Sequence, residues 1–380
     1  MTPRPKVALV VTSVLQVRFF LVPHIRALSR LYDVTLILKD DHPDILAQMD
    51  LPARVIVAPI ERQIRPWQDL RGLWTLWRLF CRERFDLVHT MTPKAGLLGT
   101  VAAWLSRTPV RLHTFQGETW ANKTGFMRWL LRSLDWWVAQ LATHLTVVSA
   151  SEREVLIAEG LLPASKSCVL AKGSIGGVDL KRFQPDPARR QQLRMQAGVS
   201  AQEVQFLYMG RLTLDKGLLE LAQAFARLAA ELPQVRLRVV GPDEEGLQAQ
   251  LQPLLQSCAQ RVTIEPYTAR PEDCLQAADV LVLPSHREGF GVVIIEAAAM
   301  QVPAIASRIY GISDAMVDKQ TGLMFKVRDA NDLLVQMRCL ALDPELRARL
   351  GQQARERVQR DFDQRQVVGA FVDYYASVLP

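Results

Sequence analysis

The chain has no cysteine framework. Its five cysteines in 380 residues (Cys81, Cys168, Cys258, Cys274, Cys339) form no close pair and no CxxC. That excludes a disulfide scaffold and a structural zinc site and points to a reducing compartment. Long apolar runs are also missing: no stretch reaches the roughly 20 residues that span a bilayer. Residues 1–15 lack the apolar segment and small-residue cleavage pattern of a signal peptide, so a cytoplasmic protein is expected. There is no GxxxxGK[ST] loop, no GxGxxG, and no low-complexity tract or short repeat. RNP, KH and zinc patterns are absent as well, so nucleic acid is not an expected partner despite the net charge of +7.

What remains is the composition of a folded chain, 49% apolar and 22% charged. It is too long for one core and long enough for two. The excess charge is uneven: residues 1–180 hold 22 Lys+Arg against 15 Asp+Glu, and residues 181–380 hold 24 of each. All eight tryptophans lie between Trp67 and Trp137. Short apolar runs alternate with helical segments in both halves. The first series is Lys6–Val11, Val34–Leu38, Val55–Val57, Asp86–His89, Val110–Thr114 and Leu145–Val148, with Thr12–Arg18 read as a loop and 21–31 as a helix. The second is Phe206–Met209, Leu237–Val240, Val262–Glu265, Val280–Leu283 and Ala304–Ala306. Such alternation predicts two α/β domains with parallel sheets covered on both faces, joined near residues 180–190.

Two motifs of the second half carry chemistry. Gly210-Arg211-Leu212-Thr213-Leu214-Asp215-Lys216-Gly217 follows one strand and precedes a helix. It offers two cations: Arg matches phosphate oxygens as a fork, and Lys acts as a point charge. Glu288-Gly289-Phe290-Gly291 leads from a later strand and turn into a helix carrying Glu296. Its glycines let backbone approach a ligand, the first N–H groups of the helix face an anion, and the carboxylates accept from hydroxyls. Ligands of open α/β sheets bind at the carboxyl ends of the strands, so both motifs suit one sugar-phosphate ligand.

On these two motifs, with Gly173-Ser174-Ile175-Gly176-Gly177-Val178-Asp179 and Gly311-Ile312-Ser313, the whole chain resembles the family 4 retaining glycosyltransferases of GT-B fold, the type that makes bacterial surface polysaccharide and O-antigen. The resemblance implies two Rossmann-like domains facing a cleft. Residues 1–183, with a returning tail 362–380, would bind the acceptor, and residues 184–361 the nucleotide sugar. It implies transfer of a hexose or N-acetylhexosamine from a nucleoside diphosphate sugar, with UDP expected, onto a polyprenyl-diphosphate-linked saccharide, with no cofactor and no metal. Arg211 and Lys216 would hold the donor diphosphate and stabilise the leaving group. Glu288 would contact the sugar, the N–H groups of Gly289, Phe290 and Gly291 would approach sugar or phosphate, and Glu296 would hold the ribose. The Asp361-Phe362-Asp363 string reads as a helix junction.

In the first half, His113 matches an active-site histidine of the family and could donate to a sugar hydroxyl or exchange a proton near neutral pH. Glu118 is a candidate for orienting the acceptor. The first loop lacks the glycine pair of many relatives, and Arg18 is a candidate anion contact in its place. The segments bearing Arg62, Arg65, Trp67, Arg71, Trp74, Trp77 and Arg78, then Trp120, Lys123, Arg128, Trp129, Arg132, Trp136 and Trp137, suit an anionic membrane surface. The protein is thus expected on the cytoplasmic face of the inner membrane. Epimerisation of a sugar nucleotide and a non-catalytic membrane assembly role are the alternatives.

Overall fold

The computed structural model describes residues 4–61 and 65–379. It divides into two compact units, Met1–Gly176 with Arg365–Pro380, and Gly177–Gln364. The first is a seven-stranded parallel sheet of β1 (Lys6–Val10), β2 (Asp33–Leu38), β3 (Arg54–Val57), β4 (Leu87–Met91), β5 (Val110–Phe115), β6 (His144–Val147) and β7 (Ser167–Cys168). Its spatial order is β3-β2-β1-β4-β5-β6-β7. The second is a six-stranded parallel sheet of β8 (Val204–Met209), β9 (Val235–Val240), β10 (Val262–Glu265), β11 (Val280–Leu283), β12 (Ala304–Ser307) and β13 (Gly322–Phe325), ordered β10-β9-β8-β11-β12-β13. Central strands such as Val7–Val10 and Val280–Leu283 are buried at every residue, as helices on both faces require. These are the two Rossmann-like α/β domains expected.

In each sheet the strand order reverses once, between β1 and β4 and between β8 and β11. A crevice opens at such a switch point, outside the carboxyl ends of the strands. β7 and β13, two and four residues long, give too little pattern to stand out in the sequence. Thr12–Arg18, expected as a loop, is helical from Val14. The chain then passes through a π-helical turn Val17–Leu21 and continues as Val22–Leu28. The start is capped from two sides: locally Ser13 Oγ accepts from Leu15 N at 3.2 Å, and Asp41, 27 residues on, accepts from Val14 N at 3.0 Å. The half supplied by Asp41 leaves no local signal.

The Asp361-Phe362-Asp363 string lies where helix Pro344–Asp361 ends and helix Gln364–Val378 begins. That last helix packs on the first sheet through a buried polar chain. Tyr375 OH meets His89 Nδ1 at 2.5 Å, His89 Nε2 meets Thr114 Oγ1 at 2.6 Å, and Thr114 meets Thr146 at 2.6 Å. Burial, reinforced by the neighbouring His113 and His24, holds the His89 pKa well below the ordinary value, so the chain is neutral and each ring nitrogen is satisfied. Removing one member leaves a buried partner unpaired, at about 1–3 kcal/mol. Tyr375→Phe should therefore lower the thermal midpoint by several degrees, read by scanning calorimetry. An unchanged midpoint would show that the hydroxyl contributes nothing.

Candidate functional site

At the switch point of the second sheet the loops after β8 and β11 touch. Gly217 has φ +69°, and a Cβ there would lie 2.0 Å from the Pro284 carbonyl oxygen. Glycine is thus required twice over, for the left-handed backbone and for the contact. The contact brings Lys216 Nζ to Glu288 Oε1 at 2.5 Å, and Ser285 Oγ donates to the same oxygen at 2.8 Å. Ser285 is fully buried, and the Lys216 and Glu288 side chains are 15% and 16% exposed. The glycine turn is fixed from a second side, because a Cβ on Gly311 would meet the Glu288 and Gly289 carbonyl oxygens at 2.6 Å each. Phe290 is buried against Phe362, ring centroids 5.3 Å apart, and helix Val292–Ala299 starts at Gly291. The Ile294 N–H bonds the Gly291 carbonyl at 2.9 Å, and the N–H groups ahead of it, close to Glu288 in the chain, have no preceding helical carbonyl to bond.

The structure brings together Lys216, Glu288 and the Gly289–Gly291 turn. It directs Arg211 elsewhere: its guanidinium pairs with Glu244 at 2.8 Å on the surface, and its carbonyl accepts from Tyr208 OH at 2.7 Å. An exposed pair of this kind is worth little and is readily exchanged. Five residues of the site are not singled out by the sequence motifs: Ser285, Asp215, Arg287, Glu220 and His286. Ser285 holds Glu288, and the signal for it was a hydroxyl three residues before a motif carboxylate. Asp215 receives Arg287 at 3.2 Å, and Glu220 meets His286 at 2.9 Å. Burial raises the Asp215 pKa, but the Thr213 hydroxyl with Lys216, Arg287 and Arg211 outweighs it and keeps Asp215 below its ordinary value. These pairs join loops more than 60 residues apart in sequence, so no local pattern announces them.

Glu296 stands apart from the Lys216 cluster: among the described residues no hydrogen bond or ion pair links them. Burial pushes its pKa up to about 7, with Glu272 reinforcing and Arg182 opposing. Arg182 is itself held by Glu272 at 2.8 Å.

In the first unit His113 is buried on β5. Its Nδ1 meets Thr90 Oγ1 at 2.8 Å, and its ring lies on helix Pro93–Leu105, where a Cβ on Gly96 would sit 2.4 Å from Cε1. Burial lowers its pKa to about 3, against the Thr90 contact. Proton exchange near neutral pH is therefore corrected to a neutral ring able to hydrogen-bond through Nε2. Glu118 is buried near Asp135, whose pKa burial raises to about 7, with Glu118 repulsion adding and the Trp120 N–H at 2.9 Å opposing. Arg18 lies half-buried in the π-helical turn. At the switch point of this sheet, Thr12 Oγ1 donates to Thr92 Oγ1 at 3.3 Å, and Thr92 has φ +79°, rare for a β-branched residue. No sequence signal marked it.

Helices Pro66–Glu83, Pro93–Leu105 and Gly125–Leu141 pack side by side in one layer of this unit. Their outer faces carry seven of the eight tryptophans, 37–85% exposed, while Trp120 is buried. Arg78 lies 4.7 Å above the Trp74 ring, and Arg128 lies 4.9 Å above Trp120. Arg62, counted in this patch from sequence, lies outside the described residues. Among the described residues no helix is long and apolar enough to cross a membrane.

A glycosyl transferase 4-like domain matches residues 23–173, and glycosyl transferases group 1 match residues 189–357. Over 307 residues, 80% of each chain, the protein is 31% identical to the capsular polysaccharide biosynthesis glycosyltransferase CapM of Staphylococcus aureus. It is 26% identical over 309 residues, 80% of this chain and 78% of the other, to an Escherichia coli galactosyltransferase named for UDP-Gal and GlcNAc-diphosphoundecaprenol. The crystal structure of Anabaena HepE with UDP and glucose matches with a TM-score of 0.82 over 98% of this chain and 100% of that one, at 19% identity. The lipopolysaccharide glycosyltransferase WaaG matches at 0.77 over 97% and 99%, at 17% identity. Both structures speak for the fold. The chain belongs to the GT-B glycosyltransferases of the surface-polysaccharide type, and it is a sugar transferase.

The raised Glu296 pKa gives a test of whether this carboxylate holds the ligand. Ionised, it accepts hydroxyl hydrogen bonds with charge assistance; protonated, it is the weaker acceptor. Binding of a UDP-sugar, whose diphosphate keeps constant charge over this range, should tighten about 3- to 10-fold between pH 6 and pH 8. Glu296→Gln should flatten the profile in isothermal titration. A wild-type profile already flat would take Glu296 out of the site.

Proposed function

We propose that the chain transfers a hexose or N-acetylhexosamine from a UDP-sugar to a polyprenyl-diphosphate-linked saccharide, with retention at the anomeric carbon. The observation that carries this is the Lys216–Glu288 contact at the carboxyl ends of β8 and β11, bounded by the Gly289–Gly291 turn. When the anomeric C–O bond breaks, the electron pair goes to the departing diphosphate. Lys216, Arg211 once turned from Glu244, and the N–H groups of the glycine turn stabilise that charge. Glu288 takes the hydroxyls of the sugar and Glu296 those of the ribose. Retention follows if the acceptor hydroxyl attacks on the face the diphosphate leaves, giving its proton to the departing oxygen. His113 serves as a neutral hydrogen-bonding ring, and Glu118 and Arg18 orient the acceptor. The E. coli relative's name, with its diphosphoundecaprenol-linked sugar, supports the choice of acceptor class.

Lys216→Ala should reduce kcat by about 100-fold or more with the far-UV spectrum unchanged, the usual size for loss of one preorganised charge. Near-wild-type turnover in that folded variant would remove Lys216 from the chemistry.

The acceptor class also gives the exposed tryptophan layer a partner. We place it against the anionic cytoplasmic face of the inner membrane, rings at the headgroup level and arginines toward lipid phosphate. Wild-type protein should co-sediment with phosphatidylglycerol vesicles at low salt and dissociate as salt rises. Combined Trp67→Ser, Trp74→Ser and Trp129→Ser changes should weaken partitioning at least 10-fold. Vesicle binding unaffected by these changes would assign the layer to something other than lipid.

A further inference from the structure

The same lysine and carboxylate that suit a donor neutralise one another in the structure. Lys216 Nζ lies 2.5 Å from Glu288 Oε1, and Ser285 Oγ holds that oxygen at 2.8 Å. A nucleoside diphosphate reaching Lys216 must share the ammonium with Glu288 or draw it away. The consequence depends on whether a sugar is attached. In the donor, the terminal phosphate is a diester, and the sugar offers hydroxyls to Glu288 in return for the lost N–H. In the spent nucleotide, the terminal phosphate carries an additional negative charge and there are no hydroxyls. Glu288 then loses a partner without replacement and faces a like charge in a half-buried site, where such repulsion is poorly screened.

We infer that the Glu288–Lys216 pair, positioned by Ser285, discriminates between the nucleotide sugar and the spent nucleoside diphosphate, and drives release of the latter. This inference rests on the donor reading given above and adds a specificity role that transfer alone does not require. Specificity of this kind is a difference of affinities, built partly from a repulsive element. Lysine suits the task better than arginine, because its compact ammonium can move between two anions without losing a fixed fork geometry.

The test is isothermal titration of wild type, Glu288→Gln and Ser285→Ala with UDP, GDP and ADP, and with UDP-glucose, UDP-galactose and UDP-N-acetylglucosamine, at pH 8. Glu288→Gln keeps shape and one acceptor oxygen but removes the charge. It should bind the free nucleoside diphosphate about 10-fold tighter than wild type while binding the nucleotide sugar no more tightly, so the ratio of the two affinities collapses. Ser285→Ala should narrow the ratio by a smaller factor; a merely structural loss would weaken both ligands equally. If wild type binds a nucleoside diphosphate and Glu288→Gln binds it no more tightly, the discrimination is overturned and the donor reading stands. If wild type binds none of the six ligands, the donor reading falls and this inference with it.

Discussion

The second domain is organised around a single backbone contact, the approach of Gly217 to the Pro284 carbonyl. It exists because the strand order reverses between β8 and β11, which leaves the loops of two adjacent strands free to meet at their carboxyl ends. Several polar contacts of the site then cross-link the two segments. His286 N donates to Asp215 O at 2.8 Å, Arg287 reaches Asp215, His286 reaches Glu220, and Lys216 reaches Glu288. The pairs support each other, since each side chain's rotamer is limited by the backbone bond beside it. A side chain at Gly217 would part the loops and lose all of them together. The backbone that carries these charges is thus fixed before a ligand arrives, which is what electrostatic stabilisation of a leaving group requires.

The fold was legible because buried parallel strands are short continuous apolar runs, and most of those runs became strands over nearly the same residues. β7 and β13 failed for want of length. The glycine and charge motifs were legible because the chemistry demands particular residue types within one strand-to-helix turn. What escaped depends on partners distant in sequence. Asp41 caps a helix 27 residues earlier, Arg287 answers Asp215, and Tyr375 lies 286 residues from His89. Burial was equally hidden. His113 could be assigned a proton-exchange role from its residue type, but enclosure against Thr90 and Gly96 fixes it as neutral. Arg211 and Lys216 are five residues apart and equal as sequence symbols, yet one faces Glu244 at the surface and the other Glu288 within the site.

The uneven charge of the chain has different physical meanings in its two parts. Over residues 181–380 charge balances, and in the second unit it does so by local pairing: Arg182 with Glu272, Arg189 with Asp273, Arg190 and Arg194 with Asp279, Arg236 with Glu203, Arg238 with Glu265. Charges matched at contact distance leave little field beyond about a Debye length of ~10 Å. A phosphate there is recognised by the one or two cations it can touch, so geometry decides. In the first unit the surplus arginines share a helical layer with exposed tryptophans and are matched by fewer acids. Unmatched charge spread over a surface makes a broad attraction with little geometric demand, suited to a headgroup layer and not to a single ligand. Under the proposed function, with a small soluble donor and a membrane-fixed acceptor, these two modes fall in separate domains. Placed in one domain, the broad positive field would also hold the spent nucleotide and oppose its release.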